Sequence, residues 1–237
     1  MNLSPIGAEG ARPQLSTLDV VRTALAPVAD AAILDVGCGG GALARALGDA
    51  GARVTGIDPQ ETALEAARRR APAATFLRAT AETLPFADAQ FDRVVFLNSL
   101  HHVPEQDMAQ ALAEAARVAR GTVLIVEPLA EGPSFQTMLP IEDETAIRAA
   151  AQAAIAQAVS AGLLSPVSSG DYDDPRIVAD VDAFLARAVA VDPARGPRAV
   201  REKPQVGALL AQFGVPVAGG FRLSQPHRVH LLRSSRG

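Results

Sequence analysis

The sequence predicts an α/β fold built on a parallel sheet, and two observations carry that prediction. Through the first two-thirds of the 237 residues, short apolar runs alternate with stretches of helical periodicity, the pattern of strands joined by crossover helices. Between the first apolar run and the first helical stretch stands Gly37-Cys38-Gly39-Gly40-Gly41, where a backbone without side chains can turn tightly and admit a ligand closely. The length suits one domain with a substantial core.

The elements follow in order. A strand is predicted over 31–36, then a helix carrying Leu43, Ala46, Leu47 and Ala50 with Gly51 as its C-terminal cap. A second strand over 53–57 ends at Asp58-Pro59, and the proline suits the first turn of a helix turning Leu64 and Ala67 inward. Strands are predicted near 75–77 and over 94–97. After Asn98–Val103, Pro104 opens a helix with Met108, Leu112, Ala115 and Val118 on one stripe, ending at Arg120-Gly121. The fifth strand, 122–126, stops at Glu127-Pro128. All five share one polarity, which gathers functional loops at their C-terminal ends.

Beyond that point the rhythm changes. Residues 129–203 show no convincing buried strand and read as a helical insertion. A long Ala-rich helix is predicted over 142–161, a Ser/Pro/Gly loop over 165–170 and a second helix over 175–191. Residues 205–213 read as a helix, and 217–223 with 228–232 as a terminal hairpin. The whole chain, 1–237, is expected to be one domain containing that insertion.

Composition excludes several classes of function. The net charge is −4, Lys203 is the only lysine, and the one dense basic cluster, Arg68-Arg69-Arg70, closes a helix where cations suit the carbonyl end. No nucleic-acid partner is expected. No apolar run reaches about 18 residues, and Met1–Arg12 lacks a basic segment followed by an apolar one. Cys38 is the only cysteine, which rules out an internal disulfide and a multi-thiolate metal site. A cytoplasmic protein with no membrane partner and no metal is expected.

Charge separates two ligands that such a glycine loop can serve. Gly37-x-Gly39-x-x-Ala42 also fits the dinucleotide fingerprint loosely, but a pyrophosphate is repelled by a nearby carboxylate. Asp35 stands two residues before the first glycine, where an ammonium or sulfonium is welcome. Asp58 stands where an acid accepts hydrogen bonds from ribose hydroxyls, and it can also cap the helix that follows.

Several segments together resemble the class I S-adenosylmethionine-dependent methyltransferases of the small-molecule type, methyltransferase type 11-like. They are Ile33–Gly41, Val54–Pro59, Ala81-Glu82-Thr83-Leu84-Pro85-Phe86, Phe91-Asp92-Arg93-Val94-Val95 and Leu100-His101-His102-Val103. The resemblance covers about residues 31–128. It implies a Rossmann-like, doubly wound, seven-stranded sheet whose last strand is antiparallel, and S-adenosyl-L-methionine as cofactor with S-adenosyl-L-homocysteine as product. Asp35, Gly37, Cys38 and Gly39 are then expected around the methionine part and Asp58 at the ribose. Pro59 would border the adenine, Ala81 and Glu82 its edge, and Asn98 and Ser99 the region near the methyl. Thr80 departs from the pattern, standing where many relatives place an aspartate for the adenine amino group.

Methyl transfer from a sulfonium is an in-line displacement, so holding the nucleophile behind the methyl achieves much of it, about 7–11 kcal/mol at most. A base is needed only where the acceptor must shed a proton early. His101 and His102 are the candidates for that role, with loop support as the plainer reading. His227 and His230 are three apart on a predicted strand and point to opposite faces. The insertion resembles the covers that select acceptors in such enzymes. Phe135, Met138 and Tyr172 are the expected substrate contacts, with Phe184 a further wall. Arg195, Arg198 and Arg201 read as loop arginines, solvated or facing an anionic acceptor. A small-molecule acceptor and a monomer or homodimer are expected. Rival readings are a non-catalytic cofactor-binding scaffold, a nucleic-acid methyltransferase, or other chemistry on the same cofactor.

Overall fold

The computed structural model describes residues 11–235; most of Met1–Arg12 lies outside them. The chain runs α1 (Thr17–Leu25), β1 (Ala32–Val36), α2 (Ala42–Asp49), β2 (Arg53–Asp58), α3 (Glu61–Arg70), β3 (Thr75–Arg78), β4 (Phe91–Leu97), α4 (Met108–Val118) and β5 (Ala119–Pro128). It continues through α5 (Gly132–Met138), α6 (Thr145–Ser160), β6 (Leu164–Val178), α7 (Val181–Val191), α8 (Gly196–Phe213), β7 (Val215–Val217) and β8 (Gly220–Ser234). The sheet order is β3-β2-β1-β4-β5-β8-β6, with β7 added beside β8. β1 to β5 pair in parallel, and β8 runs antiparallel to both β5 and β6. The expected seven-stranded path with its last strand antiparallel is present.

Central strands are buried on both faces, so their residues are apolar without interruption and alternate between two cores. Leu34, Val94, Phe96 and Ile125 face one core with Leu112 of α4 and Ile155 of α6. Ile33, Val95, Leu124 and Val126 face the other with Val21, Leu47 and Leu64. The long Ala-rich helix is therefore the crossover beneath the sheet.

The insertion needs correction. It is not helical throughout, because β6 occupies Leu164–Val178 and pairs with β8 along nearly all its length. The loop expected over 165–170 and the helix start expected at 175 lie on that strand; the helix begins at Val181. β5 pairs only with the stretch of β8 from His227 onward. The earlier half of β8 and the end of β6 rise past the parallel strands, and α5, α7 and α8 rest there. Their small separate core holds Ile141, Val178, Phe184, Leu185, Val206, Leu210 and Leu223. This smaller unit is the cap.

Candidate active site

The glycine loop is fixed by the strand ends beneath it. The amides of Gly37 and Cys38 both donate to the Ile57 carbonyl at 2.9 Å. Gly37 has φ +73°, and a Cβ there would lie 2.5 Å from the Ser99 Cβ, so neither its conformation nor its surroundings accept a side chain. Gly39 differs. Its φ is +48°, yet a Cβ would meet nothing within 4 Å, because it borders a cavity of about 740 Å³.

Gly37, Gly39, Asp58, Pro59, Ala81, Asn98 and Ser99 all line this cavity, as does Thr80. Asp58 ties the loop to the next helix, its Oδ2 accepting from Gly39 N at 3.0 Å and its Oδ1 from Gln60 N at 2.9 Å. The bond to Gln60 N lies at the helix start, as the sequence reading expected, while the bond to the loop glycine is a role it did not foresee. Cys38 turns its side chain into the core with Phe76 and is not a wall of the cavity. Glu82 is half-buried outside the wall.

Asp35 lies buried near the end of β1, and its Oδ2 has no hydrogen-bond partner. Burial, and secondarily the charge of Asp58, push its carboxyl up to about 7. A buried carboxylate oxygen left unpaired costs free energy until a donor or cation reaches it. Asp35 is not itself a wall of the cavity; its neighbours Val36 and Gly37 are.

After β4 the chain reverses at Asn98, a left-handed residue with φ +53°, and forms a single 3-10 turn, Leu100–His102. Glu127 builds this turn. Its Oε1 accepts from Ser99 N and Leu100 N at 3.1 and 2.9 Å, and Oε2 meets His101 Nδ1 at 2.5 Å. Sequence reading gave Glu127 no such role. The signal available was a carboxylate ending a fully buried strand, which must find partners. His101 is accordingly a buried support, its ring 4.1 Å from that of His102.

His102 stands at a junction. A second cavity, about 290 Å³ in volume, opens under the cap and shares Asn98, His102, Val191 and Arg195 with the first. Burial, and then the charge of His101, lower the His102 imidazole to about 4. Asn98 Oδ1 is buried without a partner at the same junction.

Phe135, Met138 and Phe184 line the second cavity as expected, whereas Tyr172 does not. Tyr172 sits on β6, buried against α1; its hydroxyl donates to Thr17 Oγ1 at 2.9 Å and its ring stacks on His227. Asp171, Asp173 and Asp174 beside it lie on the same strand. Arg195 is also not a solvated loop residue. It is buried, bonded to Glu142 and, at 2.9 Å, to Glu144, whose other oxygen takes Arg148 at 2.6 Å. His101, His102 and Glu144 place ligand-type atoms within 4.8 Å of one another. Two guanidiniums hold Glu144 and Glu127 holds His101, so two of these three side chains are engaged by neighbouring charges. His230 lies apart, its Nε2 3.0 Å from Gln152 Oε1.

Residues 33–121 match the profile of a methyltransferase domain family. This stretch is similar to methyltransferase domains. Over 108 residues the chain is 41% identical to the ubiquinone biosynthesis O-methyltransferase of Alkalilimnicola ehrlichii, covering 44% of this chain and 43% of that protein. The chain thus spans less than half the length of that curated relative. The fold resemblance extends further. The BH2331 protein of Bacillus halodurans superposes with a TM-score of 0.65 at 20% identity, covering 92% of this chain and 98% of the other. The magnesium protoporphyrin IX methyltransferase of Synechocystis, solved with S-adenosylhomocysteine, superposes with a TM-score of 0.54 at 16% identity, covering 92% and 82%. The family match ends at residue 121, early in β5, and leaves α5 and the elements after it uncovered.

Proposed function

We propose that this chain transfers a methyl group from S-adenosyl-L-methionine to a small-molecule acceptor lodged under the cap, leaving S-adenosyl-L-homocysteine. The observation that carries this reading is the unpaired, buried Asp35 oxygen beneath a glycine loop that borders the larger of two cavities sharing four wall residues. An amino-acid ammonium satisfies that demand and a pyrophosphate aggravates it. In this reading Asp58 accepts from the ribose with the lone pairs left after Gly39 and Gln60, and Pro59, Thr80 and Ala81 border the adenine.

The cofactor supplies an electrophilic methyl on a sulfonium. Held by the glycine loop and Asp58, it would offer that methyl to the acceptor's lone pair and leave with the carbon–sulfur pair as a neutral thioether. The protein's part is to align the acceptor from the second cavity past Asn98 and His102, walls that both cavities share. A neutral imidazole at His102 can accept the proton that a hydroxyl or amine acceptor sheds, and His101, held by Glu127, positions it. The walls of both cavities come from one chain, so a monomer or a homodimer serves equally. Among the described residues no helix is long and apolar enough to cross a membrane. A cytoplasmic place for the enzyme rests on its single cysteine.

Calorimetric titration with S-adenosylhomocysteine tests the site. Wild type is expected to bind, while Asp58→Ala and Gly39→Arg lose binding; unchanged affinity in both variants would overturn the assignment. Turnover is tested by S-adenosylhomocysteine release when the protein is mixed with S-adenosylmethionine and a metabolite extract.

A further inference from the structure

Resting on the methyl-transfer reading for its purpose, we infer that the cap cavity selects an acceptor bearing a carboxylate on an apolar body, with Arg187 and Arg176 holding the carboxylate. The wall of this cavity carries four arginines, Arg148, Arg176, Arg187 and Arg195, against one acid, Glu144. Two of the four are committed elsewhere. Arg148 spends its guanidinium on Glu144 and the Leu129 carbonyl, and Arg195 spends its own on Glu142, Glu144 and the Ala188 carbonyl.

Arg176 is committed on one edge only. Its Nε and one terminal nitrogen donate to Asp174 Oδ2 at 3.0 and 2.9 Å, which leaves the other terminal nitrogen unspent. Asp174 is itself held by Thr17, whose hydroxyl donates to it at 3.0 Å and accepts from Tyr172. The buried end of this chain of bonds fixes the guanidinium at the cavity. Arg187 is exposed on α7 and has no hydrogen bond or ion pair among the described residues. A guanidinium with open donors on a cavity wall matches the fork of a carboxylate.

The rest of the wall sets the remaining chemistry. Phe135, Met138, Val178, Phe184 and Leu223 give it an apolar face. Burial is the main reason that His227 falls to about 4, and Arg176 and Arg148 push it the same way. One arginine without an acid matches one negative charge, so the structure favours a monocarboxylate over a phosphate ester.

Calorimetry on the full chain, with and without S-adenosylhomocysteine, decides the matter with three probes sharing one tail: octanoate, octanamide and octyl phosphate. Octanoate is expected to bind about tenfold more tightly than octanamide, a difference of ~1.4 kcal/mol. Arg187→Gln is expected to erase that preference while leaving S-adenosylhomocysteine affinity unchanged, and Arg187→Lys to keep part of it. Equal binding of acid and amide, absence of binding by either, or an Arg187→Gln protein that keeps the preference overturns the inference. Tighter binding of octyl phosphate transfers the site to phosphate esters and overturns it equally. A wild type that ignores S-adenosylhomocysteine but prefers octanoate would instead count against the methyl-transfer reading alone.

Discussion

Asp58 holds Gly39: the carboxylate at the end of β2 accepts the amide of the loop glycine at 3.0 Å and, with its other oxygen, the Gln60 amide at the start of α3. The acid that is to receive a ribose therefore also sets the shape of the loop beside it. Asp58→Asn keeps acceptor capacity at one oxygen and is expected to fold with S-adenosylhomocysteine affinity reduced about tenfold. Asp58→Ala leaves two amides without their acceptor, at about 1–3 kcal/mol each where they stay buried, and is expected to lose both affinity and thermal stability. Titration calorimetry beside a melting curve distinguishes the two variants.

The neighbouring glycines are expected to behave oppositely. Gly37→Ala forces a Cβ to 2.5 Å from that of Ser99, so it should lower the melting temperature and displace the turn after β4. Gly39→Ala meets no atom within 4 Å and carries only the cost of a left-handed alanine, on the order of 1 kcal/mol. Its methyl enters the larger cavity, so affinity should fall while the fold stays close to wild type. A Gly39→Ala protein with full affinity would show that the ligand does not approach this loop.

Asp35 ties stability to affinity with opposite signs. Its carboxyl is raised from 3.8 to about 7 in the folded chain, so its contribution to stability is present below 3.8 and is lost as pH rises through 7. Asp35→Asn should therefore raise the ligand-free melting temperature at pH 8 and change it little at pH 4. The ionised form is the one that attracts an ammonium, so S-adenosylhomocysteine affinity of the wild type should increase from pH 6 to pH 8. In Asp35→Asn that increase should vanish. A variant that is more stable and binds more weakly is the signature to look for.

How much of this was legible in the sequence depended on whether the signal was local. β1 to β5, α2, α3 and the glycine loop are written in short continuous stretches, because a parallel strand buried on both faces must be apolar throughout. β6 is written differently. Its buried positions are Leu164, Tyr172, Asp174 and Val178, too sparse for an apolar run, and Pro166 and Pro175 read as breakers. An edge strand tolerates prolines, and β6 exists because β8, some fifty residues later, pairs along it. The acceptor cavity was hidden for the same reason. Its walls come from the turn after β4, α5, the end of β6, α7 and the middle of β8, and no spacing rule joins such distant pieces. Tyr172 was misplaced because its role depends on Thr17, in a helix with no motif of its own.

The histidines should make the protein acid-labile against the pull of Asp35. His102, His227 and His230 are each lowered from 6.5 to about 4, with burial the first cause. Between those values the unfolded chain binds protons that the folded one refuses. Stability is therefore present above 6.5 and is lost as pH falls toward 4. Asp35 opposes this over much of the same window, one group against three. Urea midpoints from pH 7 to pH 4.5 should fall. The fall should be shallower in His227→Gln, which removes the most buried of the three, and steeper in Asp35→Asn. A wild-type midpoint that rises on acidification would show that Asp35 dominates.

Arg195 joins the cap to the floor of the site, and removing it should loosen one without unfolding the other. Arg195 and Glu144 are both about nine-tenths buried, at 9% side-chain exposure each, and Arg195 also meets Glu142, which lines the larger cavity. Arg195→Ala leaves Glu144 with Arg148 alone. Breaking a buried pair outright costs about 3–5 kcal/mol, and the retained Arg148 should keep the loss near the lower end. The loss should fall on the cap, whose core is separate from the two cores of the sheet. Limited proteolysis is expected to cut the variant near Asp192–Gly196 while the β1–β5 body resists. Because Asp192, Pro193 and Arg195 line the larger cavity, S-adenosylhomocysteine should also dissociate faster. A variant with wild-type protease resistance and dissociation rate would mean that apolar packing, rather than this ion-pair network, holds the cap in place.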